Sequence, residues 1–129
     1  MRSLQRHRNM ILGIGTDSLR IERMKKAMVK EAFLKKVFTD KERKYLEEKG
    51  IPEQSAAGMF CAKEAVLKAM ELGITDVSLR DIEVLHKESG APYVKLYGTL
   101  LGRGKLHVSI THTEDTASAF AVLEQEDER

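Results

Sequence analysis

The chain of 129 residues has one cysteine, two prolines and no tryptophan, and its aromatic content is 5%. A lone cysteine, Cys61, leaves no internal disulfide to form, which suits a reducing compartment such as the cytoplasm. No apolar run approaches the roughly 18 residues that cross a bilayer as a helix, so no membrane association is expected. The start MRSLQRHRN is basic, yet the apolar stretch behind it is only Met10–Ile14 and is broken by Gly13, too short for a signal-peptide core. The scarcity of aromatic residues counts against a nucleic-acid-binding module, which would interleave basic residues with base-stacking rings. Cys/His spacing of a metal site is absent too. Gly13-Ile14-Gly15 lacks the third glycine of a dinucleotide fingerprint, and no Gly-Lys-Ser/Thr follows it.

What remains is a globular composition of 42% hydrophobic and 33% charged residues, at a length typical of one domain. The net charge of +2 is unevenly laid out. Residues 1–50 hold 14 Lys/Arg against 7 Asp/Glu, whereas residues 51–129 hold 8 against 13. The N-terminal half therefore expects an anionic partner, either phosphates or an acidic protein.

Residues 1–9 read as a disordered extension or an upstream start ahead of Met10, residues 10–123 as the folded domain, and 124–129 as an acidic, frayed tail. The run ILGIG reads as a buried strand over Met10–Thr16 that ends in Asp17. A helix is expected from Ser18 or Leu19 to about Lys30, with Ile21, Met24 and Met28 toward the core and Arg23, Lys26 and Lys30 toward solvent. Thr39-Asp40-Lys41-Glu42 has the form of a capping box and opens a helix to about Lys49. Pro52 suits the first turn of the longest helix, which Gly73 ends. The period then changes to two. Asp81–His86 pairs with Tyr93–Tyr97, and Leu106–Thr111 with Ala117–Leu123, as two hairpins. This order predicts an α+β fold with antiparallel strands.

Few residues stand out for chemistry, and each has an ordinary reading beside a functional one. Asp17 can be an N-cap for the helix behind it. Glu64 and Lys68, four apart, can be a surface ion pair. The apolar neighbours Phe60, Ala62, Ala65, Val66, Leu67, Ala69 and Met70 leave little exposed face there, and a partly buried Glu64 then needs a cation, either Lys68 or a metal. His112, at a strand end in HVSITHTED, can be structural.

Taken together, GIGTDSLRIER, FTDKE, FCAKEAVLKA and HVSITH resemble the holo-[acyl-carrier-protein] synthases, the small single-domain group of 4′-phosphopantetheinyl transferases. The resemblance covers about residues 10–123. It implies a sheet packed with a long central helix and shorter helices, and transfer of the 4′-phosphopantetheine arm of coenzyme A to a serine of apo-acyl carrier protein, as in fatty acid biosynthesis. Adenosine 3′,5′-bisphosphate is the other product. It implies Mg²⁺ on Asp17 and Glu64, which would explain a carboxylate at the strand end, and a catalytic set of Asp17, Glu64, Lys68 and His112. Lys68, His112 and, less directly, Lys63 are expected at the coenzyme, because Lys63 points roughly 100° away from Glu64 on the helix. Arg23, Lys26 and Lys30 are expected to dock the acidic carrier. A homotrimer with active sites between subunits is also implied. Many relatives carry an arginine where this chain has Met59, which removes a positive charge near the phosphate or carrier site. The competing expectation is a coenzyme A- or nucleotide-binding protein of the same fold that transfers nothing. Intact Asp17, Glu64, Lys68 and His112 argue against it.

Overall fold

A computed structural model describes residues 10–126. The extension expected over residues 1–9 and the end of the acidic tail lie outside the described residues. The chain runs through β1 (Ile11–Arg20), α1 (Ile21–Ala27), α2 (Glu31–Val37), α3 (Asp40–Glu47) and α4 (Pro52–Ala69). A short 3-10 turn at Leu79–Asp81 leads into the hairpin of β2 (Ile82–His86) and β3 (Pro92–Leu96). A second turn at Gly98–Leu100 precedes β4 (Lys105–His112) and β5 (Thr116–Glu124). The strands form a three-stranded antiparallel sheet in the order β1-β5-β4 and a separate two-stranded β2-β3 sheet. The α+β expectation holds. No helix among the described residues is long and apolar enough to cross a membrane.

α4 lies across one face of the three-stranded sheet, and small residues let it come close. Gly13, Gly15, Asp17 and Leu19 share that face with Leu123, Ala121, Ala119 and Ala117, their partners on β5. A Cβ added at Gly13 would sit 1.9 Å from the Ala69 carbonyl oxygen, and one at Gly15 would sit 2.0 Å from that of Ala65. The two glycines thus serve backbone-to-backbone approach rather than a turn. The helix contributes Ala62, Ala65, Val66 and Ala69 to the core, all buried.

Several expected boundaries shift. β1 continues to Arg20, so Asp17 lies inside the strand, and the N-cap of α1 is Arg20 with no side-chain cap. The strand is buried on one face only: Ile11, Leu12 and Ile14 are 59%, 48% and 62% exposed. Their apolar character does not report the core in this chain. α1 ends at Ala27, so Lys30 is not on the helix of Arg23 and Lys26 but precedes α2. The helix expected to run to about Lys30 is thus shorter at both ends. α4 ends before Gly73, and Glu71 takes the left-handed conformation (φ 60°) that closes it. Glu124 belongs to β5 rather than to a frayed tail, and Gln125 N–H donates to the Met10 carbonyl at 2.7 Å. The capping box at Thr39 and Glu42 forms as expected.

Gly15→Ala forces the Ala65 carbonyl away from the sheet. It should cost about 1–3 kcal/mol, the usual range for overpacking, as read from the shift of the urea midpoint at constant m-value. An unchanged midpoint would show that the sheet and helix have slack here.

Candidate active site

On one turn-spaced stripe of α4, Cys61, Glu64 and Lys68 face β1 where Asp17 points into the sheet–helix contact. Lys68 Nζ lies 3.5 Å from Asp17 Oδ1 and donates to the Thr16 carbonyl at 2.9 Å. The ion pair opens outward, with Lys68 about half exposed and Asp17 mostly covered. Glu64 is half-buried, and its Oε2 is the one buried side-chain oxygen or nitrogen among the described residues with no hydrogen-bond partner. Burial pushes its carboxyl above the usual range, and the charge of Asp17 adds to this while Lys68 opposes it. Burial also pushes the Cys61 thiol up to about 12, with the Asp17 charge and hydrogen bond and the Glu64 charge adding to the rise. Its sulfur donates to the Ala117 carbonyl at 3.6 Å, so it is a neutral thiol packed under the carboxylates.

Two carboxylates with an orphaned buried oxygen share a single lysine. That donor set is short of positive charge and offers hard oxygens, which suits a divalent cation such as Mg²⁺. Asp17 and Glu64 are the residues able to hold it.

His112 ends β4, opposite Ala117, on the same sheet face as Asp17 but on the far strand. Two strand spacings separate β1 from β4, about 10 Å. His112 is exposed and borders a cleft of about 290 Å³ between the β2–β3 hairpin and the start of α4, with Tyr45, Gly58, Met59, His86 and Pro92 among its walls. The Tyr45 and His86 rings stack there, centroids 4.1 Å apart and 2° from parallel. Met59 is buried at this cleft.

Lys63 does not fit the coenzyme-binding expectation. It is fully buried, and its ammonium donates to the Val37 carbonyl (2.7 Å), Glu42 Oε1 (2.8 Å) and the Leu79 carbonyl (2.8 Å). Three donors meet three acceptors, which leaves none for a phosphate. Burial pulls this lysine below its usual value, and Glu42 opposes that. Of the docking residues, Arg23 and Lys26 are exposed on α1, and Lys30 is exposed in the following turn.

The structure therefore gathers Asp17, Glu64 and Lys68, and sets His112 at a neighbouring cleft. Sequence reasoning missed Cys61 beneath the carboxylates, Glu42 as the counter-ion of Lys63, and the Tyr45–His86 wall. The 61/64/68 spacing was a usable signal for the first, whereas the other two depend on tertiary contacts.

A family model of the 4′-phosphopantetheinyl transferase superfamily matches residues 13–122. The chain belongs to this superfamily. The match takes in Asp17, Glu64, Lys68 and His112. The chain is 42% identical over 124 residues to a holo-[acyl-carrier-protein] synthase of Clostridium tetani, covering 91% of this chain and 98% of that protein. Among solved structures it resembles a holo-(acyl-carrier-protein) synthase from Bacillus anthracis in complex with CoA (3′,5′-ADP), with a TM-score of 0.79 and 34% identity, covering 91% of this chain and 99% of the other. It also resembles the Helicobacter pylori holo-[acyl-carrier-protein] synthase in complex with coenzyme A, with a TM-score of 0.76 and 30% identity, covering 85% and 98%. The phosphopantetheinyl transferase fold is thus present over nearly the whole described chain.

Metal-free protein should show the strain of the paired carboxylates in its pH dependence. Glu64 binds its proton more tightly folded than unfolded. Its contribution is therefore fully present below the ordinary value of 4.5 and is lost as pH rises through the raised folded value. In EDTA, urea unfolding between about pH 4.5 and 7 should show the wild type losing stability relative to Glu64→Gln as pH rises. Parallel curves for the two proteins would show that burial and the charge of Asp17 do not tighten proton binding at Glu64.

Proposed function

We propose that this protein transfers the 4′-phosphopantetheine arm of coenzyme A to a serine of apo-acyl carrier protein, releasing adenosine 3′,5′-bisphosphate. The observation that carries the reading is the pair of carboxylates, Asp17 and Glu64, meeting one lysine at the sheet–helix contact of a phosphopantetheinyl transferase fold. Coenzyme A as substrate and acyl carrier protein as acceptor agree with what the similar proteins are named for and are bound to.

In this reading Asp17 and Glu64 hold Mg²⁺. When bound, the ion supplies Lewis-acid stabilisation of the negative charge that spreads over the phosphoryl oxygens. The serine oxygen forms a bond to the phosphorus bearing the pantetheine arm, and the bond from that phosphorus to the bridging oxygen of the bisphosphate breaks. Asp17 accepts the serine proton, directly or through a water. Lys68, half exposed beside Asp17, brings a positive charge to a phosphate. His112 and the cleft beside it hold the coenzyme. Arg23 and Lys26 steer the acidic carrier, with Lys30 extending the basic surface past the end of α1. A cytoplasmic setting accords with the lone free thiol.

The subunits assemble as a homotrimer through the outer face of the three-stranded sheet, with active sites near the interfaces. Ile14 and Val122 lie opposite each other on that face, next to the Thr16–Phe120 pair, and Ile14 and Phe120 are 62% and 45% exposed. An apolar sheet face of this kind suits burial against further copies. Phe120→Glu is expected to convert the assembly to monomers in light scattering. An unchanged mass would place the interface elsewhere.

The deciding experiment is intact-mass spectrometry of an apo-acyl carrier protein incubated with this protein, coenzyme A and Mg²⁺. A gain of one phosphopantetheine is expected, lost with EDTA and in Asp17→Ala, and cut by at least about 10²-fold in Asp17→Asn. At low carrier concentration the rate should also fall with added salt. No gain with several carriers, while coenzyme A still binds, would favour a binding protein without transfer.

A further inference from the structure

Lys63 and Glu64 are adjacent in sequence yet face opposite surroundings: Glu64 leaves an oxygen without a partner at the site, whereas Lys63 is fully committed inside the core. Its three acceptors come from three places, the end of α2 (Val37), α3 (Glu42) and the 3-10 turn before β2 (Leu79). Glu42 is fully buried as well and is the hub of the arrangement. Its Oε1 accepts from Thr39 N–H (2.8 Å) and from Lys63, and its Oε2 accepts from Val84 N–H (2.6 Å) on β2. Thr39 Oγ1 then donates to Glu83 Oε2 (2.6 Å), whose Oε1 accepts from Tyr97 OH (2.8 Å). α4 is thereby tied at one residue to the end of α2, to α3 and to the turn before β2.

A helix pressed on small residues on its sheet face can slide or roll, since alanine and glycine contacts interlock little. The Lys63 ammonium opposes both motions, because a shift of α4 would break charge-assisted bonds between fully buried groups that solvent does not reach. We infer that Lys63, with Glu42, is a positioning residue that fixes the height and rotation of α4, so that Glu64 and Lys68 meet Asp17. The inference rests on the reading of Asp17 and Glu64 as the metal-holding pair. It assigns the lysine of the Lys-Glu motif a role away from the substrate. Groups that act on a site through its ligands in this way typically change metal affinity or activity by about 10–100-fold.

The test uses direct Mn²⁺ binding alongside transfer kinetics. Lys63→Met leaves the Glu42 carboxylate buried without its cation, so Lys63→Met/Glu42→Gln is made in parallel, with folding followed by circular dichroism. In a folded variant the Mn²⁺ dissociation constant should rise at least about tenfold and kcat should fall by a similar factor, with KM for coenzyme A within about threefold of wild type. An unchanged Mn²⁺ constant and kcat in a folded variant would reduce Lys63 to a stability role. A raised KM for coenzyme A with unchanged kcat would make it a substrate ligand, and either result overturns the inference.

The wild-type protein supplies a measurement that needs no variant. Under reductive methylation read by peptide mass spectrometry, Lys63 should stay unmodified with and without coenzyme A, while Lys68 is modified and then protected by it. Modification of Lys63 that coenzyme A blocks would overturn the inference even if both variants fail to fold. If wild-type protein transfers nothing to any carrier, the functional reading fails, while the Mn²⁺ and labelling results still decide the role of Lys63.

Discussion

At Gly15 the strand backbone and the Ala65 carbonyl of α4 approach so closely that an added Cβ would lie 2.0 Å from that oxygen. This contact sets how near α4 comes to the sheet. It brings the helix stripe of Cys61, Glu64 and Lys68 down to the level of Asp17, and it allows Lys68 to reach both the Asp17 carboxylate and the Thr16 carbonyl. A larger residue at Gly13 or Gly15 would lift the helix, and the distance between two side chains on different elements would grow with it. The glycines therefore bear on function without carrying any chemistry of their own.

Bringing two carboxylates together in a partly dry contact is unfavourable without positive charge. Lys68 offsets part of this from the solvent side, and the orphaned Glu64 oxygen marks what is still uncompensated. Cys61 beneath them adds no charge, because burial and its acidic neighbours keep the thiol protonated. The opposite wall of α4 is arranged in the contrary way. There one buried cation, one buried anion and the surrounding backbone groups satisfy each other completely. The unsatisfied side meets Asp17 of β1, and the satisfied side faces the core.

The fold class and the starts of α3 and α4 are legible because they rest on local rules. Thr39 with Glu42 announces a cap, and Pro52 announces a first turn. Asp17, Glu64 and Lys68 were legible as a set only through the resemblance, because each alone has an ordinary reading. Burial along β1 was misread, since Ile11, Leu12 and Ile14 look like core while the core side of that strand is made of glycines. The helix expected over Ser18–Lys30 exceeds the observed one because its apolar period runs on through Met28, past the helix end at Ala27. The second role of Glu42 was beyond local reasoning: a capping residue gives no sign that its other oxygen and its second lone pair serve β2 and a lysine 21 positions later.

Lys63 shows most clearly why position in a motif is a poor guide to what a residue touches. On a helix the residue next to a site residue is rotated by about 100°, so a lysine beside a site glutamate has a different neighbourhood by geometry alone. Here that neighbourhood is the junction of α2, α3 and the turn before β2. A cation held there by three acceptors cannot also meet a phosphate at the opposite side of the helix. In the inferred arrangement one residue of the Lys63-Glu64 pair sets where the helix stands, and the other uses the position so fixed.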